Sequence, residues 1–431
     1  MKAVVLAAGE GKRLRPLTFT RPKPLFPVAG KFFIEHTISA FKSANIDELF
    51  LIVGYESKAI RDHLSDKSKH GIKITYVEQK EQKGTAHAIG LLENFTRSDP
   101  FLVVYGDVLV KPKNFENIIK MWEEKEGLAN SILSVTRVED PSQFGTVETK
   151  NGEITKIVEK PKNSSATSNL VNAGIYIFTQ EIFDAIKKTK ISQRGELEVT
   201  ESIQIMINKV GKIIPYEIEG WWIDVGRPWD LLEANKLLLE ENKENLKIEG
   251  EVEKGARIKG PVGVKENAII RAGAYIIGPT LIDKDADIGP NCFIRPHTYL
   301  AEKVHIGNAC EVKNSIILKK TQIGHLSYVG DSIIGENCNF GAGTKIANLR
   351  HDDKPIKVLI NGKKISSGRR KLGVIMGDNT KTGIGSLIMP GATLGPNSAL
   401  GPGTICYEHI PPNTFLTEKR EKEQLKWPPE E

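Results

Sequence analysis

Cysteine is nearly absent: Cys292, Cys310, Cys338 and Cys406 are the four in 431 residues, and no two form a C-x-x-C pair. That spacing signals neither a zinc site nor a disulfide framework, and it suits a reducing, intracellular compartment. Charge of one sign is equally thin. Sixty basic against 54 acidic residues leave +6, too slight and too dispersed to make nucleic acid a principal partner, although small anionic substrates remain possible. Long apolar runs are missing too. The opening MKAVVLAAG carries only VVLAA before GEGKR, too short for a secretion signal, and no stretch approaches a membrane span; the expectation is a cytoplasmic protein with no membrane partner. Two glycine fingerprints are also lacking. Gly9-x-Gly11 is followed by Leu14 where a dinucleotide site wants a third glycine, and no GxxxxGK[ST] occurs, which removes the best evidence for hydride transfer and for a P-loop ATPase.

What is present is a chain long and apolar enough, at 39% hydrophobic residues, for two or three domains. From Lys2 to about Gly226, β-branched runs alternate with helical patterns: KAVVLAA, FIEHTISAFKSA, ELFLIVGY, KAIRDHL, IKITYVEQ, TAHAIGLLENF and PFLVVYGD. This order predicts an α/β, Rossmann-like domain over 1–227, with a mostly parallel sheet covered by helices and ligands beyond the carboxyl ends of the strands. LAAGEGKRLRPLTFTRPKPL follows the first strand, and Asp107 follows FLVVYG. Gly9 and Gly11 allow main-chain N–H groups to turn toward a ligand, while Lys12, Arg13, Arg15, Arg21 and Lys23 supply positive charge that is costly to crowd without an anion. Pro22 and Pro24 stiffen the path that aims Lys23.

The ordered string GxGxRLxPLTxxxPKPL resembles the signature of the sugar-phosphate nucleotidylyltransferases. The resemblance implies that this segment wraps a nucleoside triphosphate while a sugar 1-phosphate oxygen attacks the α-phosphorus and expels pyrophosphate. It gives Arg13 the α-phosphate and leaving group, and Lys23 the attacking phosphate. It gives Asp107 and Asp224 to Mg²⁺, and Ala8, Gly9, Gly11, Gln79, Gly84 and Thr85 to the nucleotide. Gly145, Glu159, Lys160 and Asn172 fall to the sugar 1-phosphate. The chemistry is consistent, because bringing one phosphate onto another demands positioning and charge neutralisation rather than a protein nucleophile.

The second half counts in sixes. Val252, Ile258, Val264, Ile270, Ile276, Ile282, Ile288, Ile294, Leu300, Ile306, Val312 and Leu318 fall at every sixth position, with a slip afterwards and a return at Ile388, Leu394 and Leu400. This is the hexapeptide repeat of a parallel β-helix, three short strands to a coil of 18 residues, and it resembles the left-handed β-helix of acyltransferases. Helix 228–248 is expected to connect the halves as a solvated bridge, the β-helix to span 249–410, and 411–431 to be a polar tail. Asn361-Gly362 between KVLI and KKIS predicts a type I′ hairpin, read as an arm over about 349–371 leaving the solenoid.

Coil arithmetic stacks Arg295 on Lys313. Such cations repel unless a negative group lies between them, and a phosphate fits; two solvated side chains diverging from each other also fit. The string GHLSYVGDSIIGENCNFGAGTKIANL closely resembles the acetyltransferase centre of the bifunctional uridylyltransferase/acetyltransferases of N-acetylglucosamine 1-phosphate synthesis. It implies acetyl-CoA as donor, His325 as general base on the sugar amine, and Arg295, Lys313, Tyr328, Asn339 and Asn348 on the acetyl acceptor. Ala342, Ser386, Arg369, Arg370 and Lys371 are assigned to coenzyme A, although a solvated basic turn reads the last three nearly as well. A homotrimer is implied by the same resemblance. The RPKPL form, the arm, and Leu349-Arg350 in place of an aromatic-acid pair depart from the bacterial pattern and look like the archaeal enzymes; they leave UTP or dTTP, and glucosamine or galactosamine 1-phosphate, open. Two other readings stand beside this one: a nucleotidyltransferase whose β-helix is structural or regulatory, as in GDP-mannose pyrophosphorylases, and a non-catalytic scaffold subunit.

Overall fold

A computed structural model describes residues 1–66, 70–96, 99–161, 168–209, 211–419, 421 and 424. It divides into two compact units, residues 1–14 with 21–237 and residues 15–20 with 238–431. The division falls within the helix Asp230–Glu241 rather than before it. That helix buries Leu231, Leu232, Ala234, Asn235, Leu238 and Leu239, so it has a packed face and is not the solvated bridge expected from its charged end.

The first unit is a nine-stranded sheet with helices over it. Lys2–Ala7 lies between Glu48–Val53 and Phe101–Tyr105, parallel to both, and Lys73–Glu78 continues the parallel set. These strands are β-branched runs buried on both faces: Val4, Val5, Leu51, Ile52, Val103 and Val104 are fully buried, as crossover helices on a parallel sheet require. Beyond Phe101–Tyr105 the sheet turns antiparallel through Leu170–Phe178, which pairs with Ser131–Arg137 and meets Gly145–Lys150. At the edge, Asn151 and Gly152, at φ 53° and 80°, close a tight hairpin between Gly145–Lys150 and Glu153–Glu159, and a two-residue connection of this kind can only make antiparallel neighbours.

The second unit is the left-handed parallel β-helix that the hexads imply, three parallel sheets of nine, eight and eight strands. Val252, Ile270, Ile288 and Ile306 pair in sequence up one face. Their neighbours Val264, Ile282 and Leu300 on another face are fully buried, each side chain worth about 1.5–3 kcal/mol of burial. The repeat shortens by one residue where the corner after Lys313 turns at Asn314, while the corner after Arg295 turns at His297. Leu300 therefore pairs with Ile317, not Leu318.

Corners need single residues in the left-handed region, where asparagine, aspartate and glycine fit best. Asn267, Asp285, Lys303, Lys320, Asn337, Asn379, Asn397 and Asn413 all have positive φ at one stacked corner. Their amides form part of a ladder: Asn379 donates to Asn397 at 3.0 Å and Asn397 to Asn413 at 3.1 Å.

The excursion after Lys345–Ile346 contains the hairpin Lys357–Ile360 with Lys363–Ser366, and the ladder then resumes with Ile346 opposite Ile388. This segment does not stand away from the coil. Ile356, Val358 and Ile360 are buried, and a Cβ on Gly391 would sit 2.6 Å from Ile356 Cγ2, so the glycine makes the seat. The solenoid also runs past Ile410: Phe415–Leu416 pairs with Ala399–Leu400. Most of the remaining tail, residues 420, 422–423 and 425–431, lies outside the described residues.

Candidate active sites

A cavity of about 760 Å³ opens in the first unit, and every residue that the nucleotidylyltransferase resemblance singled out lines it: Ala8, Gly9, Gly11, Arg13, Lys23, Gln79, Gly84, Thr85, Asp107, Gly145, Glu159, Lys160, Asn172 and Asp224. Its floor is the carboxyl end of Lys2–Ala7 and Phe101–Tyr105. Gly11, at φ 66°, makes a left-handed turn, which glycine adopts with no Cβ to oppose it. Of the cations after it, Lys12, Arg13 and Lys23 reach the cavity, whereas Arg15 and Arg21 do not line it. Arg15 lies 4.7 Å over the Phe19 ring and Arg21 6.0 Å over Phe26. Each side chain is thus turned onto a ring.

Lys23, buried at 8% exposure, ends 2.8 Å from Asp107 Oδ2. Burial would raise the Asp107 carboxyl, but Lys23, with Arg13 behind it, holds it below the ordinary value. Asp224 is opposite Val108 on the adjoining strand pair; burial and then the nearby Asp107 charge push it up to about 7. Two crowded hard-oxygen donors of this kind fit a divalent cation such as Mg²⁺. No group of three or more His, Cys, Asp or Glu among the described residues forms a complete metal cage, so bound phosphates and water would have to complete the shell.

Across the cavity, Asn172 donates to Tyr176 Oη at 2.6 Å and accepts from Gly174 N at 3.0 Å. One amide hydrogen and one lone pair remain for a sugar hydroxyl. A Cβ on Gly145 would meet Thr200 Cγ2 at 3.2 Å and Glu159 Oε2 at 3.3 Å, which is why this wall carries glycine. The sequence reading missed the group facing Glu159. Arg194 Nη1 lies 3.1 Å from both Glu159 Oε1 and Glu198 Oε1. Burial, then the Glu159 charge, raises the Glu198 carboxyl, and burial with Arg194 lowers the Lys160 ammonium. The string QRGELEVT offered the signal, since it crowds an arginine and two glutamates around one glycine.

In the second unit, Arg295 and Lys313 stack as the coil count requires, but the chain itself supplies the negative charge. Arg295 donates to Glu311 at 2.9 Å and Lys313 to Asp331 at 3.1 Å. The expectation that the pair calls for a bound phosphate therefore loses its electrostatic ground. Asp331, also missed, is 3% exposed. Its Oδ2 accepts from Lys313 and, at 2.6 Å, from Asn348; its Oδ1 accepts from Asn314 at 2.7 Å. Asn348 also donates to Tyr328 Oη at 3.1 Å. A Cβ on Gly330 would fall 2.5 Å from that hydroxyl. One buried carboxylate thus fixes three of the predicted acceptor residues directly or through one bond. Asp331→Ala would leave a half-buried ammonium and two amides without their acceptor. The expected result is a rise of about a hundredfold in KM for the acetyl acceptor and a lower melting temperature, with pyrophosphate release unchanged.

His325 ends the strand Gln322–His325 and Tyr328 begins the next face at Tyr328–Gly330. The imidazole is exposed and has no side-chain partner among the described residues. Asn339, on the same face as His325, is exposed. Two of the coenzyme A assignments change. Ser386 is fully buried, its hydroxyl donating to Gly383 O at 2.8 Å and its main-chain N–H and C=O bonded to Gly383 O and Lys345 N, so it contributes by packing; Ala342 has its carbonyl taken by Gly385 N. Arg370 is paired with Asp353 at 2.8 Å. Arg369 is half-buried with its carbonyl bound to Ile356 N, and Lys371 bridges to Leu349.

A strand-end cavity of cations and paired carboxylates, in a chain that continues as a hexapeptide-repeat solenoid, defines the class as a nucleotidyltransferase-fold transferase with an acyltransferase-type β-helix. The nucleotidyl transferase family matches residues 2–241, and a family described as the GMPPB C-terminal domain matches residues 276–382. The chain is 46% identical to the bifunctional protein GlmU of Methanocaldococcus jannaschii over 98% of both chains. It is 43% identical to the bifunctional sugar-1-phosphate nucleotidylyltransferase/acetyltransferase of Sulfurisphaera tokodaii over 94% of this chain and 97% of that one. Among solved structures, a UDP-glucose pyrophosphorylase complexed with UDP-glucose is 26% identical, with a TM-score of 0.50, over 56% of this chain and 98% of that one. The chain belongs to the bifunctional sugar-1-phosphate nucleotidylyltransferase/acetyltransferase family.

Proposed function

We propose that this chain carries out two consecutive transfers in the synthesis of UDP-N-acetylglucosamine-type nucleotide sugars, as a cytoplasmic homotrimer. In the first unit, an oxygen of glucose or N-acetylglucosamine 1-phosphate attacks the α-phosphorus of UTP or dTTP, the α–β P–O bond breaks, and pyrophosphate leaves. Lys23 neutralises the attacking phosphate and Arg13 the departing one, with Gly9 and Gly11 cradling the triphosphate. Asp107 and Asp224 would hold Mg²⁺, which when bound supplies charge neutralisation to the phosphate oxygens. Glu159, Lys160, Asn172 and the Arg194 bridge orient the sugar phosphate.

In the second unit, the amine of glucosamine or galactosamine 1-phosphate attacks the thioester carbon of acetyl-CoA. The C–S bond breaks, His325 removes the amine proton, and coenzyme A leaves as the thiol. A protonated amine has no lone pair to attack with, and an imidazole base suits neutral pH. Arg295, Lys313, Tyr328, Asn339 and Asn348 hold the acceptor. Ala342 and Ser386 shape the wall beside the acetyl-CoA, and Arg369, Arg370 and Lys371 offer charge.

The observation that carries this reading is likeness over nearly the whole length to bifunctional relatives, with the residues of the first transfer gathered in one cavity. The GMPPB-type match of the solenoid favours a second reading, nucleotidyl transfer alone beside a structural β-helix. One panel separates them. Four nucleoside triphosphates are set against glucose, N-acetylglucosamine, mannose and glucosamine 1-phosphates for pyrophosphate release, and acetyl-CoA with glucosamine or galactosamine 1-phosphate for thiol release. Pyrophosphate with UTP or dTTP together with thiol release is the expected result. Pyrophosphate without thiol supports the second reading, and neither product supports a scaffold.

A further inference from the structure

We propose that His87 is a positioning residue for base selection: it holds the Gln79 amide with its carbonyl oxygen toward the cavity, so the site takes nucleobases that carry a ring N–H and rejects cytosine and adenine. This rests on the nucleotidyl-transfer reading and names the substrate class of that same site.

Gln79 follows the strand Lys73–Glu78, is 5% exposed and lines the cavity. Its main-chain N–H donates to Val53 O at 2.8 Å, which anchors it to the sheet. Its side-chain Nε2 lies 3.1 Å from Gly84 O and 2.9 Å from His87 Nδ1. A carbonyl oxygen can only accept, so the amide must present its NH₂ side there, and one hydrogen is used. The second meets Nδ1, which accepts when the imidazole proton sits on Nε2. With both hydrogens taken, Oε1 is the atom left over, and it receives no hydrogen bond from the described residues.

The acceptor wall is itself fixed. Gly84 sits at φ 110°, and a Cβ there would fall 2.5 Å from Leu197 O. Leu197 N donates to Lys83 O at 2.7 Å and Ala86 N to Leu197 O at 2.9 Å. His87 is in the helix Thr85–Gly90 that begins directly after this glycine. Neither partner of the Gln79 amide can move away without disturbing that packed turn.

An acceptor held in this orientation discriminates by hydrogen-bond polarity. Uracil and thymine carry N3–H and satisfy Oε1. Cytosine N3 and adenine N1 bring a lone pair against it, and two opposed acceptors in a buried site are left unpaired. Replacing His87 with a residue that cannot accept leaves Gly84 O as the single restraint, so turning the NH₂ toward a cytosine forfeits one hydrogen bond rather than two.

The test measures pyrophosphate release from UTP and CTP with one sugar 1-phosphate, using full-length protein. For His87→Leu the ratio of kcat/KM for UTP over CTP should fall about tenfold, mostly through KM for UTP, with KM for the sugar 1-phosphate unchanged. His87→Gln, which keeps an acceptor in reach, should recover most of the ratio. His87→Asn, too short to reach Gln79, should behave like the leucine variant and replaces it if that chain does not accumulate. A ratio within twofold of the parent in whichever of the two is measured, or a fall in the glutamine variant equal to that in the leucine variant, overturns the assignment. Absence of pyrophosphate from every triphosphate with the parent chain overturns the nucleotidyl-transfer reading and this proposal with it.

Discussion

Lys23→Ala should lower pyrophosphate release by about a thousandfold while leaving thiol release from acetyl-CoA close to the parent level. The size follows from what the ammonium touches. It is buried and 2.8 Å from Asp107, in a site where Asp224 is already pushed up to about 7 by burial and by Asp107. Removing the cation takes away the charge that meets the incoming phosphate and leaves two carboxylates facing each other with Arg13 alone to offset them. A fixed cation in a water-poor cavity acts on developing phosphate charge with little reorganisation, so its loss appears mainly in kcat. Thiol release by the same preparation serves as the folding control. Pyrophosphate release within tenfold of the parent would remove Lys23 from the centre of the reaction.

The second large effect is expected from His325→Ala, about a thousandfold on thiol release with glucosamine 1-phosphate as acceptor. Here the control is thermodynamic. The imidazole is exposed and bonds no side chain among the described residues, so its removal should leave the melting temperature nearly unchanged. A fall in rate at constant stability is then a statement about chemistry. The residual rate should climb as pH rises, because solvent takes over the proton and more of the amine is free, whereas the parent profile should level off. Thiol release within about threefold of the parent would reject the general-base role, and Asp331→Ala would then have to be read as a structural change alone.

The two halves were legible to different depths. A period of six requires only that the interior repeat, so Val252 to Val312 follow from the sequence; the column failed at Leu318 because a corner shortened by one residue leaves no mark in an aliphatic pattern. The strand-end cations were legible as a group, but their division was not. Sequence cannot tell that Arg15 and Arg21 lie over phenylalanines while Lys12, Arg13 and Lys23 line the cavity. Residues that touch the ligand tend to sit in recognisable strings. Those that hold them are scattered: Arg194 is 35 positions from Glu159, and Asp331 closes a network running from Lys313 to Asn348. The stacked cations misled for the same reason, since their counter-charges arrive from the strand beside them and from the coil above.

Because each rung of the solenoid recognises only the rungs on either side, the segment between Arg350 and Gly368 could be trimmed, swapped or lengthened at the level of the gene while the ladder still closes with Ile346 against Ile388. The limit on that freedom is Gly391. Any replacement must either bring its own anchor to the seat that Ile356 fills or allow a larger residue to grow into it. Lineages that change acceptor preference should therefore vary most in this cassette, and least at the glycine beneath it.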